Sequence, residues 1–315
     1  MKIVIVGSGA MGSLMAAFLS KSKEEIWFLD KDKEKSSKTN SCGISVEGLS
    51  GNWPVKIKSS PDPKEIGIAD MVIVCVKSYN TKEAILHAKP LIGENSIVIT
   101  LQNGIGNIEI IGEVIGTDKV IGGVTSMGST LLGDGRVKFA GKGETVVGFM
   151  DGKTPVEIRG VRELFNKVGI DTKISRDIKG VLWSKLIVNV GINALTALTR
   201  LPNGMLIEHE GTRKILRSSV TEAIRVAKRK RIKLAYDDPL AKVEAVCEAT
   251  SANISSMLQD VLHKKKTEID YINGVIVRLG QELSIPVPVN SLLLDMVKTI
   301  EASYPEAVDR NWTGK

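Results

Sequence analysis

The 315-residue chain is predicted to fold as a doubly wound α/β domain followed by an all-helical domain. Over residues 1–176, short apolar runs alternate with helical patterns, which is typical of β-α-β units and a mostly parallel sheet. Over residues 177–315 only long helical patterns remain, and prolines fall between them, where helices end. The sequence therefore places the boundary between two domains near residue 176.

The strands of the first domain are predicted from its apolar runs. The later ones are expected to be antiparallel, because Gly-rich turns separate them. Helices are predicted over 10–21 and 155–168. The predicted strands are Ile3–Val6, Ile26–Leu29, Met71–Val76, Ser96–Thr100, Val120–Thr125, Arg136–Ala140, Thr145–Phe149 and 170–175.

The second domain is expected to contain helices and no strands. Its helical patterns have the periodicity and the proline breaks of five separate helices. These are predicted over 178–199, 212–231, 238–262, 267–283 and 289–303.

Composition narrows the class of function. The net charge is +7, but basic and acidic residues are interspersed and only 4% of residues are aromatic, which disfavours a nucleic-acid-binding module. A basic balance also suits an enzyme whose cofactor and substrate are anions. Cys42, Cys75 and Cys247 are too far apart for a disulfide framework or a metal motif, so no metal is expected.

The N-terminus does not resemble a signal peptide, because Met1-Lys2 leads directly into a predicted strand. No apolar run is expected to be as long as the roughly 18 residues that span a bilayer. The sequence therefore predicts a cytoplasmic protein that does not enter a membrane.

A glycine motif follows the first strand and opens the first helix: Gly7, Ser8, Gly9, Ala10, Met11 and Gly12. This position is typical of a dinucleotide-binding Rossmann domain. The first glycine makes the tight turn, the second lets the backbone approach a pyrophosphate, and the third allows close packing. The anion is then expected at the helix N-terminus. The alternative is a plain glycine-rich turn.

Asp30 ends the second predicted strand, where a carboxylate hydrogen-bonds the adenosine ribose and repels a 2′-phosphate. This favours NADH over NADPH. Lys31 and Lys33 follow at once and offer a 2′-phosphate an alternative partner, so NADPH stays open.

Lys185, Asn189 and Asn193 are spaced i, i+4, i+8 and share one side of an otherwise apolar helix. Buried polar groups need partners, and a bound substrate is one. The alternative is a hydrogen-bonded stripe between helices. Since no histidine lies in a motif, Lys185 is the candidate proton donor, with its pKa lowered by an apolar surrounding. Glu268 by itself is an ordinary acidic residue at a helix start.

The sequence resembles the ketopantoate reductases (2-dehydropantoate 2-reductases) over most of residues 1–303. Besides the glycine motif, the resemblance rests on Val76-Lys77-Ser78, Gln102-Asn103-Gly104, 182–189 with Asn193, Pro202-Asn203-Gly204, 248–260 and 267–274. The blocks Ser255-Ser256-Met257-Leu258-Gln259-Asp260 and Thr267–Gly274 are the specific ones.

The resemblance implies reduction of ketopantoate to pantoate, in pantothenate and coenzyme A biosynthesis. It implies that Lys185 is the general acid and that Glu268 supports this lysine and the substrate. Asn189, Asn193 and Ser256 would bind substrate, and Asn203 would belong to the same pocket. Lys77 and Asn103 would line the cofactor side of the cleft, with Asn103 also near substrate. The family's usual cofactor is NADPH, often with a basic residue in place of Asp30.

Three other functions stay open from the sequence. One is a dehydrogenase of the β-hydroxyacid type or one acting on another 2-keto acid. Another is a dinucleotide sensor without turnover, which would have no need of Lys185 and Glu268. The third is the nucleic-acid module. The long apolar C-terminal helices make a homodimer the expected assembly.

Overall fold

The computed structural model describes residues 1–49, 51–133 and 135–307. It divides into two compact units, Met1–Val181 and Leu182–Lys315. The first is an α/β unit, and the described part of the second is helical, so the predicted fold class is confirmed. The division falls within the helix Ile178–Thr199, a few residues after the boundary expected near residue 176.

Strands of the first unit form two sheets. In chain order they are β1 (Lys2–Val6), β2 (Glu25–Leu29), β3 (Ile44–Gly48), β4 (Trp53–Val55), β5 (Lys58–Ser60), β6 (Ala69–Val74), β7 (Ile92–Thr100), β8 (Val120–Thr125), β9 (Gly128–Gly133), β10 (Arg136–Gly141), β11 (Thr145–Phe149) and β12 (Thr172–Ile174).

Helices of the first unit connect these strands. They are α1 (Ala10–Leu19), α2 (Lys33–Cys42), α3 (Pro63–Ile66), α4 (Thr81–Ala88), α5 (Asn107–Ile115) and α6 (Val156–Val168).

The main sheet has the strand order β12-β11-β8-β7-β6-β1-β2-β5. Strands β5 to β8, β1 and β2 pair in parallel, and β11 pairs with β8 antiparallel, as the glycine-rich turns predicted. The chain leaves β1 towards β2 on one side and returns to β6 on the other. In such sheets, ligands bind beyond the carboxyl ends of the strands where the winding direction reverses.

The second sheet, β4-β3-β10-β9, was not foreseen as a separate layer. Its apolar side chains join the core around α1, where Phe18 lies edge-on to Phe139, with ring centroids 5.4 Å apart, and to Trp53 at 6.3 Å. Strands β3, β4, β5 and β9 are short and lack a long apolar run. Their pairing depends on residues distant in the chain, which explains why the sequence pattern missed them.

The helical unit contains seven helices among the described residues, counting the one in which the division falls. They are α7 (Ile178–Thr199), α8 (Met205–Glu208), α9 (Glu210–Arg229), α10 (Pro239–Ala249), α11 (Ser256–Leu262), α12 (Asn273–Glu282) and α13 (Pro288–Ala302).

Two predicted helices of this unit were wrong in extent. The helix expected over 238–262 is interrupted after α10, because the Ser255 hydroxyl accepts a hydrogen bond from Leu258 N–H at 3.0 Å and begins α11 anew. The helix expected over 267–283 begins only at Asn273, after a 3₁₀ turn over Ile269–Tyr271. Glu268 therefore precedes that turn.

Helix α7 is long and apolar enough to cross a membrane by length and composition, contrary to the expectation that no segment would be. However, 67% of its most apolar window is buried within the protein. This degree of burial is typical of a core helix, and core helices can be as long and as apolar as a membrane-spanning segment.

Candidate active site

The glycine loop joins β1 to α1 at the carboxyl edge of the main sheet. Gly7 adopts a φ of +97°, and a Cβ there would lie 2.7 Å from the Val76 side chain. A Cβ on Gly12 would lie 2.0 Å from the Gly7 carbonyl oxygen, so α1 starts too close to the loop for any side chain. A Cβ on Gly9 would meet nothing within 4 Å. The space beside Gly9, at a helix N-terminus, leaves room for an anion to approach the backbone.

The Asp30 carboxylate lies directly after β2 and is held by several groups. It accepts hydrogen bonds from the Ser8 hydroxyl and from Asp32 N–H at 3.2 Å, and it pairs with Lys35 Nζ at 3.2 Å. Burial alone would raise the pKa of Asp30, but these donors and the Lys35 charge outweigh it, so the pKa is lowered. Asp30 is therefore an anion at neutral pH.

Lys31 and Lys33, which the sequence offered as partners for a 2′-phosphate, do not pair with Asp30 in the structure. Lys31 forms an exposed ion pair with Glu83 at 2.9 Å, and Lys33 begins α2. The cation beside the carboxylate is Lys35, one helical turn further on. Sequence reasoning missed Lys35 because only the turn into α2 brings it back to Asp30.

The loops after β6 and β7 carry Lys77 and Asn103 and are tied together by buried side chains. The Ser78 hydroxyl donates to the Asn103 carbonyl oxygen at 2.6 Å, and the Asn107 amide donates to the same oxygen at 3.0 Å. Gln102 joins the two loops by donating to the Val76 carbonyl oxygen at 2.8 Å. These bonds fix the backbone at Asn103, which follows β7 and is separated by β6 from β1, the strand that precedes the glycine loop.

Thr81 is the centre of this network. Its hydroxyl oxygen lies 2.8 Å from the Asn107 amide oxygen and 2.8 Å from Gln102 Nε2, which donates to it. Thr81 and Ser78 are fully buried, and the two bonds of the Thr81 hydroxyl to Asn107 and Gln102 are shielded from water. Sequence reasoning did not single out Thr81 or Asn107.

Lys185, Asn189 and Asn193 lie along α7 as their spacing predicted. Lys185 and Asn189 are half-buried, whereas Asn193 is only 5% exposed. The row therefore runs from a partly accessible cation to a buried amide, on a helix whose other residues are mostly core.

The negative charge of Glu268 influences the pKa of Lys185. Burial lowers the pKa of Lys185 to about 8, and the negative charge of Glu268 opposes part of that shift. Glu268 is itself buried, at 5% exposure, and a buried carboxylate needs a charged or hydrogen-bonded partner. An ammonium with a pKa of about 8, close enough to a carboxylate to be affected by its charge, is suited to giving up a proton.

Ser256 lies exposed in the first turn of α11. Its neighbour Ser255 is buried and connects the start of α11 to α7, because its hydroxyl lies 2.6 Å from that of Thr196. Thr196 in turn donates to the Asn193 carbonyl oxygen at 2.9 Å. The contact between α11 and α7 thus falls next to the polar row.

Asn203 is buried between two loops of the helical unit. Its Nδ2 donates to the Thr250 hydroxyl at 2.9 Å, and its N–H donates to the Asn253 carbonyl oxygen at 2.9 Å. Its Oδ1 has no hydrogen-bond partner among the described residues. Asn203 therefore ties the turn before α8 to the 250–255 loop, and that oxygen is left to accept a further bond.

No cluster of three or more metal-ligating side chains is found within 1–49, 51–133 and 135–307. The candidate site residues of the helical unit, Lys185, Glu268, Asn189, Asn193, Asn203 and Ser256, supply an ammonium, a carboxylate, amides and a hydroxyl. Groups of this kind can orient an anion and transfer a proton.

Together, a dinucleotide-type glycine loop and a helical unit with a desolvated lysine are the features of an NAD(P)H-dependent oxidoreductase. The chain belongs to the ketopantoate reductase PanE/ApbA family. The family model matches residues 3–152, and the model of its C-terminal part matches residues 177–301. The resemblance noted in the sequence is thus confirmed.

Relatives and solved structures agree with this assignment. A 2-dehydropantoate 2-reductase of Archaeoglobus fulgidus is 35% identical over 96% of this chain and 98% of its own. A PanE/ApbA family ketopantoate reductase from Ralstonia eutropha is 32% identical, with a TM-score of 0.89 over 96% of this chain and 99% of its own. D-mandelate dehydrogenase, solved with NADH and anilino(oxo)acetate, is 25% identical, with the same TM-score and coverage.

Proposed function

We propose that this protein is a 2-dehydropantoate 2-reductase, which reduces ketopantoate to pantoate with a nicotinamide dinucleotide. The observation that carries the proposal is the half-buried Lys185, whose pKa is lowered to about 8 beside the Glu268 carboxylate. The name of the Archaeoglobus fulgidus relative, at 35% identity over nearly the full length, supports the same substrate.

The residues of the first unit fit a nicotinamide dinucleotide, which supplies the hydride when bound. The loop from Gly7 to Gly12 would hold the pyrophosphate, because Gly9 leaves open space in front of the N–H groups of α1. Asp30 would accept hydrogen bonds from the adenosine ribose. Lys77 and Asn103, on the tied loops after β6 and β7, would hold the nicotinamide end.

In this reaction Lys185 acts as the general acid. Its ammonium would donate a hydrogen bond, and then the proton, to the C2 oxygen of the keto acid, so that negative charge on that oxygen is neutralised as it develops. The Glu268 carboxylate holds the ammonium in its charged form. Asn189, Asn193 and Ser256 would orient the substrate by hydrogen bonds without competing for the proton.

NADH is the proposed preferred cofactor, with NADPH also accepted. The ionised Asp30 would repel a 2′-phosphate, which supports NADH, as does the NADH bound to D-mandelate dehydrogenase. Lys35 forms an ion pair with the Asp30 carboxylate, and its positive charge would attract the 2′-phosphate. The opposing charges lead us to expect a preference of moderate size.

A second candidate is an oxidoreductase of another 2-keto or 2-hydroxy acid. The D-mandelate dehydrogenase structure, at a TM-score of 0.89, favours it, because the same fold there accompanies a ligand with an aromatic group. The lysine chemistry would be the same, so only the substrate differs.

The test is a spectrophotometric assay that follows oxidation of NADH and NADPH separately. Ketopantoate is compared with pyruvate, 2-oxoisovalerate and phenylglyoxylate at equal concentrations. We expect ketopantoate to give a kcat/KM at least about tenfold above the others. A higher value for phenylglyoxylate would establish the second candidate, and dinucleotide binding without turnover of any keto acid would indicate a sensor.

We further propose a cytoplasmic homodimer that serves pantothenate and coenzyme A biosynthesis. Leu292 and Met296, one turn apart on α13, are 57% and 46% exposed, and such apolar side chains favour association of helical surfaces. Light scattering of the purified protein measures the assembly directly. A mass of one chain at micromolar concentration would contradict the dimer.

A further inference from the structure

The segment that carries Glu268 is held by the last described helix, α13, at points on both sides of the carboxylate. On the N-terminal side, the Glu301 carboxylate accepts a hydrogen bond from Thr267 N–H at 2.6 Å. On the C-terminal side, Asn273 Nδ2 donates to Asn290 Oδ1 at 3.0 Å. Glu268 lies between these two bonds.

Two further contacts join the same segment to α13 and the residues after it. Lys298 Nζ pairs with the Asp270 carboxylate at 2.6 Å, and the Tyr304 hydroxyl donates to the Lys265 carbonyl oxygen at 2.8 Å. The segment from Lys265 to Asn273 is thus attached to one helical element at four places.

The backbone around Glu268 needs such support because it is not part of a regular helix. Glu268 precedes a single 3₁₀ turn, and Ile272, with φ −114° and ψ −92°, separates this turn from α12. Thr267 is buried at 1% exposure, so its N–H requires an acceptor from another element. Glu301 is that acceptor, and it lies one residue away from the backbone of Glu268.

The base of α13 is fixed in turn. Its first N–H groups, at Val289 and Asn290, donate to the Glu222 carboxylate of α9 at 3.0 and 2.9 Å. Asn290 also donates from its side chain to Glu222 at 2.7 Å. Asn273 reaches the Val190 carbonyl oxygen of α7 at 3.4 Å. The segment is therefore hydrogen-bonded to α7, the helix of Lys185, at one end, and it contacts α13 along its length.

We propose that α13 sets the position of Glu268 relative to Lys185, and that Glu301 is a positioning residue acting through the Thr267 N–H. This rests on the proposed function, in which Glu268 supports the proton donor. Glu301 acts as a hydrogen-bond acceptor in this role. The negative charge of its carboxylate is not required.

The test compares three variants of the full-length protein: Glu301→Ala, Glu301→Gln and Asp295→Ala. Glu301→Ala removes the acceptor, whereas Glu301→Gln keeps an acceptor oxygen and loses the charge. Asp295→Ala is the matched control, because it removes an exposed carboxylate from the same helix. Thermal melts establish that each variant is folded.

The first readout is the titration of Lys185, measured by competitive labelling with an amine reagent and mass spectrometry. It needs no substrate, so it tests the positioning of Glu268 even if ketopantoate is not reduced. Displacing Glu268 should lower the Lys185 midpoint in Glu301→Ala by about half a pH unit or more. Glu301→Gln and Asp295→Ala should match the wild type.

The second readout is kcat/KM with the best keto acid. We expect a loss of about tenfold in Glu301→Ala and less than about twofold in Glu301→Gln. An unchanged Lys185 midpoint in a folded Glu301→Ala would overturn the proposal, as would equal effects of Ala and Gln. If Glu301→Ala does not fold, Tyr304→Phe, which removes only the hydroxyl bonded to Lys265, should lower the midpoint by a smaller amount, and no shift would overturn the proposal.

Discussion

The glycine loop and the Lys185–Glu268 pair are built in opposite ways. The loop is six consecutive residues, and its geometry follows from local conformation: a positive φ at Gly7 and no room for a Cβ at Gly12. The pair brings together residues from α7 and from an irregular segment far along the chain, which four contacts to α13 and its flank hold in place.

This difference has a physical consequence. A local motif keeps its conformation wherever the strand and the helix around it form. Substitutions in the loop should therefore affect only the loop's own conformation and nucleotide binding. An assembled pair depends on the packing of several helices, and small displacements change the electrostatic energy of a half-buried ammonium near a buried carboxylate. Changes distant from Lys185 should therefore alter its chemistry, whereas changes distant from the loop should not alter nucleotide binding.

The largest effect is expected at Lys185. Lys185→Ala should lower kcat about 100- to 10,000-fold, because the transition state loses its proton donor, while dinucleotide affinity stays within about twofold. Steady-state kinetics and fluorescence titration with NADH measure the two quantities. Lys179→Ala, at an exposed lysine of the same helix, is the control and should keep full activity. Near-normal turnover of Lys185→Ala would remove this residue from the mechanism.

The glycine loop is tested by two substitutions that should separate binding from folding. Gly9→Ala adds a Cβ in open space, so the melting temperature without cofactor should be unchanged, while NADH affinity falls about tenfold or more. Gly12→Ala places a Cβ 2.0 Å from the Gly7 carbonyl oxygen, so both stability and affinity should fall. Equal NADH affinity in Gly9→Ala and the wild type would show that the pyrophosphate does not lie there.

The pH dependence of kcat/KM reports the Lys185 pair directly. A general acid must be protonated, so activity should fall as pH rises through the Lys185 pKa of about 8. Glu268→Gln removes the charge that raises this pKa, so the descending limb should move to lower pH and the plateau should drop about tenfold. Profiles from about pH 6 to about pH 10 measure both. If only the melting temperature changes, Glu268 is structural.

The smallest effect is expected at the adenosine ribose. Asp30→Ala should shift the ratio of kcat/KM values towards NADPH by about fivefold, because an anion beside the 2′-phosphate is lost and Lys35 is released. Lys35→Ala should shift it towards NADH by a smaller factor. The assay uses both cofactors at low salt, where charge effects are least screened. A wild type that prefers NADPH tenfold or more would contradict the proposed role of Asp30.

The sequence by itself determined the order of the fold. Apolar runs, glycine positions and helical periodicity are local properties, and they predicted the strands of the main sheet except β5, the loop at Gly7–Gly12 and the polar row on α7. The same patterns placed Asp30 at the end of β2, since a strand end and the charge after it are read from neighbouring residues.

Only the tertiary structure decided which distant groups meet. No periodicity marks Lys35 as the partner of Asp30, Thr81 as the centre of the network below Asn103, or Glu301 as the acceptor for Thr267 N–H. The break between α10 and α11 was missed because the Ser255 cap and the bonds of Asn203 to the 250–255 loop override helical propensity. The pKa of Lys185 likewise depends on burial and on the placement of Glu268, which are set by helix packing.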